Sequence, residues 1–200
     1  MVLIKKLSIL IPTLPEREAK LKTLLAFLKP QLNHFVEIII DDTAKEAMSI
    51  GNKRNELYKK AIGTYSVQID DDDLVPDNYI HEVLKALDNK PDCVGYLEDC
   101  MMDGIKKLSI ISIACQEWSN GNRQTDGFDY LRTPFFKTPI KTELCEQVGV
   151  ADMRFGEDHD FAKRIYPLLK KEEFINKIMY YYSANSLTPE QHQERYGITG

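Results

Sequence analysis

The first half of the chain alternates short apolar runs with stretches whose apolar positions recur at helical spacing. Residues 7–11 form an apolar run closed by Pro12, as a strand buried on both faces would. Pro15 and Glu16 open a helical stretch in which Leu21, Leu24, Leu25 and Leu28 fall at i, i+3, i+4 and i+7. A second strand is predicted over residues 35–40 and stops at Asp41-Asp42. Ser49 caps a predicted helix over residues 50–61, and Gly63 ends it. Residues 64–69 read as a third strand running into Asp70-Asp71-Asp72-Asp73, and a helix follows over residues 76–87. Such strict alternation predicts an α/β fold with a mostly parallel central sheet flanked by helices and right-handed crossovers.

The second half is patterned less regularly. Residues 93–97 and 107–113 read as strands, 116–128 as a long loop rich in Asn, Gly and Asp, 141–148 and 158–169 as helices, and 178–182 as a last strand. No internal repeat or linker cuts the chain, so residues 1–200 are expected to form one domain, with halves over 1–98 and 99–200. A chain of 200 residues needs no disulfide or metal staple, since burial at this size removes roughly 70% of the unfolded surface.

Composition removes several classes. With 43% hydrophobic and 28% charged residues the chain is neither disordered nor fibrous. A net charge of −5 argues against a general nucleic-acid binder. Cys93, Cys100, Cys115 and Cys145 show neither CxxC nor zinc-like spacing and read as reduced thiols. The opening stretch lacks the features of a signal peptide, and no apolar run approaches the ~18 residues of a membrane span. A soluble, cytoplasmic protein without a transmembrane segment is expected.

The chemistry lies where the strands end, because ligands of open parallel sheets gather at their carboxyl ends. Consecutive aspartates there repel one another unless a cation or a donor-rich ligand compensates them. An EF-hand loop starting at Asp70 fails, since Leu74 and Val75 fall where an oxygen ligand and a glycine are needed. What remains is a D-x-D clip, with Asp70 and Asp72 on one side of an extended segment and Asp71 on the other. One or two carboxylates together with substrate phosphates is how Mg²⁺ or Mn²⁺ is held.

The stretches LSILIPT, EIIIDD, GNKRNELYKKAIGTYSVQIDDDD and FGEDHDF resemble, in order and spacing, those of the family 2 glycosyltransferases. The resemblance spans roughly residues 7–165. It implies a GT-A fold and an inverting transfer of one sugar from a nucleotide-sugar donor, a UDP-sugar, with Mn²⁺ or Mg²⁺ as cofactor. It places Pro12, Thr13 and Leu14 along the base and ribose, with Asp41 and Asp42 accepting from the base N–H. It sets Arg54, of the Arg-Asn pair, toward the nucleotide, where a planar fork suits phosphate or a base carbonyl. Asp72 becomes the direct metal ligand, with Asp70 and Asp71 on metal, ribose or sugar. Glu157-Asp158 match the family's ED motif, and Asp158 becomes the base that deprotonates the acceptor hydroxyl.

Three further residues are open between roles. Trp118 is an acceptor-stacking ring or a loop anchor, His159 is a site neighbour or faces solvent, and His192 is a possible third metal ligand from the C-terminal stretch. Two departures from the family pattern fall beside the nucleotide. Thr43-Ala44-Lys45 replaces a Gly-Ser or Asn-Ser turn, and Leu14-Pro15 stands where a polar residue is usual. A glycan or lipid-linked acceptor is expected, with a protein side chain or a modified DNA base, in a phage setting, as alternatives. A catalytically silent nucleotide-sugar-binding module or partner subunit of the same fold is the main rival. A nucleotidyltransferase is weaker, because PTLPERE stands where such enzymes carry a Gly-rich basic loop.

Overall fold

The computed structural model describes residues 5–102, 104–153 and 155–183. The strands are β1 (Leu7–Pro12), β2 (Val36–Asp41), β3 (Tyr65–Gln68), β4 (Cys93–Met102), β5 (Ile105–Ile111), β6 (Ser119–Asn120), β7 (Tyr130–Arg132), β8 (Ile140–Lys141) and β9 (Glu172–Ser183). The helices are α1 (Glu18–Leu28), α2 (Ile50–Lys60), α3 (Tyr79–Leu87), α4 (Thr142–Val148) and α5 (Glu157–Ile165). All lie on one sheet, in the order β2-β1-β3-β8-β4-β5-β7-β6, with β9 also paired to β4.

The first half forms as its pattern predicts. β1 is buried along its whole length and pairs in parallel with β2 and β3, so three strand ends point the same way. Ser49 caps α2 by accepting from the Asn52 N–H at 3.3 Å. Proline sets the helix boundaries more tightly than periodicity does. A 3₁₀ turn at Pro15–Arg17 precedes α1, α3 starts only after the Pro76 turn, and α5 gives way at Ile165 to the turn holding Pro167.

The second half is mixed. The short β8 runs antiparallel between β3 and β4, and β4 forms an antiparallel hairpin with β5 whose turn uses Gly104 at φ +77°. β9 starts at Glu172 rather than near residue 178, and runs parallel to β4. Its register shifts opposite Tyr96 and Leu97, which breaks the alternation that marks a strand in sequence.

The two halves are clamped at α2. The Asn55 side chain donates to the Val150 carbonyl at 2.8 Å and accepts from the Val150 N–H at 2.7 Å. Gly51 lets the Ala151 carbonyl sit where a Cβ would lie 2.4 Å from its oxygen. The loop leading to α5 is thereby fixed one residue away from Arg54. Among the described residues no helix is long and apolar enough to cross a membrane, and the four cysteines are free.

Candidate functional site

At the ends of β1 and β2, Thr13 and Asp41 are buried side by side, with the Thr13 N–H on the Asp41 carbonyl at 2.9 Å. Leu14 is half-buried and Asp42 is exposed. Burial opposes the charge of Asp41, but the hydroxyl and N–H of Thr43, together with Lys60, hold it below the usual carboxylate range. Lys53, from α2, is buried between these loops and donates to the carbonyls of Thr13 and Thr43. Burial depresses its ammonium, against the opposing pull of Asp41, Asp42 and Asp71. A buried lysine inside the GNKRN stretch thus ties the end of β1 to the loop after β2.

The four aspartates do not lie extended. The Asp73 N–H reaches back to the Asp70 carbonyl at 3.1 Å, closing a turn that gives each carboxylate different partners. Asp70 meets Arg54 at 2.8 Å and Lys137 at 3.6 Å. Asp71 accepts from the Thr13 hydroxyl at 2.5 Å and forms an ion pair with Arg17 at 2.8 Å. Asp72 pairs with Arg17 and, at 3.5 Å, with Lys20. Asp73 is buried against Lys137 at 2.8 Å and the Tyr180 hydroxyl at 2.7 Å. The expected pairing of Asp70 with Asp72 on one side is therefore replaced by two separate cation contacts, one behind the turn and one toward α1.

Burial opposes the charge on Asp70, yet Arg54 and Lys137 bring its carboxyl down to about 2. Held below its ordinary 3.8, such a group contributes stability that is complete above the ordinary value and is lost as pH falls through about 2. Across that acid window, wild type should lose on the order of 2 kcal/mol more than Asp70→Asn in thermal melts. Equal slopes for the two proteins would show that Arg54 and Lys137 do not hold this carboxylate.

A cavity of about 330 Å³ is lined by Arg54, Asp70, Glu157 and Asp158 together, with Trp118, Arg132 and Lys137 also in its walls. Arg54 is fixed by Gln68 at 2.9 Å and lies over the Phe136 ring at 4.1 Å. Lys137 is sandwiched against Tyr180 and Tyr182, its nitrogen 4.8 and 4.4 Å from the ring centres. Burial opposes its charge, but Asp73 and Asp70 outweigh that and keep the ammonium protonated. In the same wall Gly156, at φ +82°, precedes α5, with Glu157 and Asp158 in the first turn, where the helix dipole favours carboxylates. Asp158 accepts from the His159 N–H at 2.7 Å.

Of the two roles expected for Trp118, its contacts match the loop anchor. It lines the cavity, while its indole N–H anchors it to the Thr133 carbonyl at 3.3 Å and its ring lies 5.0 Å from Phe135. His159 rests against the other side of Trp118 at 5.3 Å and is not part of the wall. His192 lies outside the described residues. Pro12, Thr13, Leu14, Asp41 and Asp42 border the strand ends rather than the cavity, and the aspartate turn joins the two regions. Arg17, Lys53, Glu98, Arg132 and Lys137 were not singled out by sequence. The contacts that place them come from distant elements, which no local pattern reveals.

Among the described residues no three His, Cys, Asp or Glu side chains form a ready-made metal cage. Asp71 and Asp72 nevertheless present hard oxygen donors to the same Arg17 guanidinium. That donor set suits Mg²⁺ or Mn²⁺ bound together with phosphate oxygens. Asp70, in the same turn, is held by Arg54 and Lys137 instead.

No protein-family model and no curated protein matches this sequence. Among solved structures the chain is similar to Staphylococcus aureus TarS residues 1–349, at TM-score 0.67 and 16% identity over 94% of this chain and 62% of that one. The complex of TarS 1–349 with UDP matches at TM-score 0.67 and 17% identity, over the same shares. The complex with UDP-GlcNAc matches at 0.57 and 16%, over 90% of this chain and 59% of that one. The chain spans less than two thirds of the length of these structures. The likeness shows the fold, the GT-A arrangement of a mixed α/β sheet whose centre is mostly parallel.

Proposed function

We propose that the chain is an inverting, metal-dependent glycosyltransferase that moves one sugar from a UDP-sugar to an acceptor hydroxyl, with Asp158 as general base. One observation carries the reading. A single cavity links Arg54 and Asp70, at the nucleotide end of the sheet, to Glu157 and Asp158 on α5. A donor and an acceptor must meet in such a space for in-line attack. The similarity to structures solved with UDP and UDP-GlcNAc supports this donor class.

In this reading the base and ribose lie along Thr13 and Leu14, with Asp41 and Asp42 accepting from the base. Lys53 keeps that cleft in shape, because it holds both loops that form it. Arg54 presents its guanidinium from a rigid support of Gln68, Asp70 and Phe136. Asp72, with Asp71, holds Mn²⁺ or Mg²⁺, which supplies positive charge to the leaving diphosphate. Asp158 takes the proton of the acceptor hydroxyl as that oxygen attacks the sugar carbon from the face opposite the diphosphate. A glycan or lipid-linked molecule is the acceptor class proposed.

Calorimetric titration of UDP, GDP, CDP and dTDP, each with and without Mn²⁺, tests the reading. UDP is expected to bind, and at least about tenfold more tightly with the metal. Failure of all four to bind would reduce the assignment to fold alone. Binding of another nucleotide would move the donor class.

A further inference from the structure

The wall of the cavity carries a row of alternating charge. Arg54 meets Asp70, Asp70 meets Lys137, and the field of Lys137 reaches Glu98. Arg132 then lies within the field of both Glu98 and Asp158, and Glu157 acts back on Arg54. Most of these groups already have a role in the reading above. Glu98 does not.

Glu98 stands on β4 directly opposite Ser109 on β5, and both side chains line the cavity floor together with Cys100. Only 6% of Glu98 is exposed. The Cys100 thiol donates to it at 3.3 Å, and the Ser109 hydroxyl lies beside it. Lys137 and Arg132 act on it through their fields. A carboxylate offers about four lone-pair sites, and the one hydrogen bond it receives, from a weak thiol donor, leaves it far short of what burial demands. Burial accordingly pushes Glu98 upward from its usual range, against Lys137 and its hydrogen-bonding neighbours. A nearly buried acid with spare acceptor capacity, lining a cavity, is built to receive donors from a ligand.

We propose that Glu98 is a specificity-determining residue of this cavity, its carboxylate accepting hydrogen bonds from adjacent hydroxyls of the sugar that the donor carries. This rests on the nucleotide-sugar reading. A carboxylate repels a diphosphate, so the part of the donor that Glu98 faces is the uncharged sugar. Glu98 also lies toward Asp70, because both carboxylates act on the same Lys137 ammonium. Two carboxylate oxygens match two neighbouring hydroxyls, so epimers that turn one hydroxyl away lose a charge-assisted bond.

The test is calorimetry on wild type, Glu98→Gln and Glu98→Ala with UDP, UDP-GlcNAc, UDP-GalNAc, UDP-glucose and UDP-galactose. In both variants, affinity for the UDP-sugar that wild type prefers should fall about tenfold or more, while UDP stays within about twofold. The preference among the four sugars should flatten. If the ratio of UDP-sugar to UDP affinity does not change in either variant, Glu98 does not read the sugar. If UDP and UDP-sugars weaken in parallel, Glu98 supports the fold and the proposal is overturned. If wild type binds no uridine nucleotide, the donor reading itself fails and takes this assignment with it. UDP binding by wild type thus separates the two failures.

Discussion

Asp158→Asn is expected to lower sugar transfer by about a hundredfold to ten-thousandfold while leaving UDP-sugar affinity within about twofold. The isosteric amide keeps the size of the side chain and still accepts from the His159 N–H, so α5 has no reason to move. What disappears is the ability to take up a proton. Asp158 lines the cavity but, among the described residues, has no hydrogen bond or ion pair with the aspartate turn, so on the proposed function the nucleotide contacts stay in place. UDP release followed against time, beside calorimetry on the same preparation, measures both quantities. A rate within a few-fold of wild type would remove Asp158 as the base. Wild type that binds UDP-sugar yet releases no UDP above background would favour the silent binding module instead.

Lys137→Met should cost about 3–5 kcal/mol of stability, because it leaves buried carboxylates without their cation. Lys137 is 7% exposed and faces Asp73 at 2.8 Å, Asp70 at 3.6 Å and the field of Glu98. Methionine fills similar space against Tyr180 and Tyr182 but compensates none of that charge. Urea unfolding reads the loss, and pairing Lys137→Met with Asp73→Asn should recover part of it, as expected for groups that interact directly. A loss below about 1 kcal/mol would mean that water or Arg54 already compensates these acids.

The first half was legible because each of its elements is long enough to show its own period. β1, β2 and α2 carry apolar runs or caps that need no knowledge of the rest of the chain. The strand ends follow at once, and with them Thr13, Asp41 and the aspartate run. β6 and β8 are two residues long and β7 is three, too short for any periodicity. Their pairing is imposed by neighbouring strands. The charges that shape the site were hidden for a related reason. Lys137 sits in a loop before β8, and its partners Asp73 and Tyr180 come from β3's end and β9. Glu98 fell just past the strand predicted over 93–97, and only the longer β4, paired with β5, placed it opposite Ser109. Asn55, read only as half of an Arg-Asn pair, turned out to hold the loop that leads to α5.

The parallel pairing of β9 with β4 imposes an order on assembly. The β1-β2-β3 unit closes through local crossovers, whereas Cys93 must find Glu172 before the back of the aspartate turn exists. Loop closure over so long a separation is slow, and only when it is complete does Tyr180 reach Asp73. During refolding, the strand ends of β1, β2 and β3 should therefore mature before the cavity walled by β4 and β5. On the proposed function, a chain caught between the two would retain a grip on UDP while failing to tell UDP from UDP-sugar, so ligand discrimination rather than ligand binding would mark the native state.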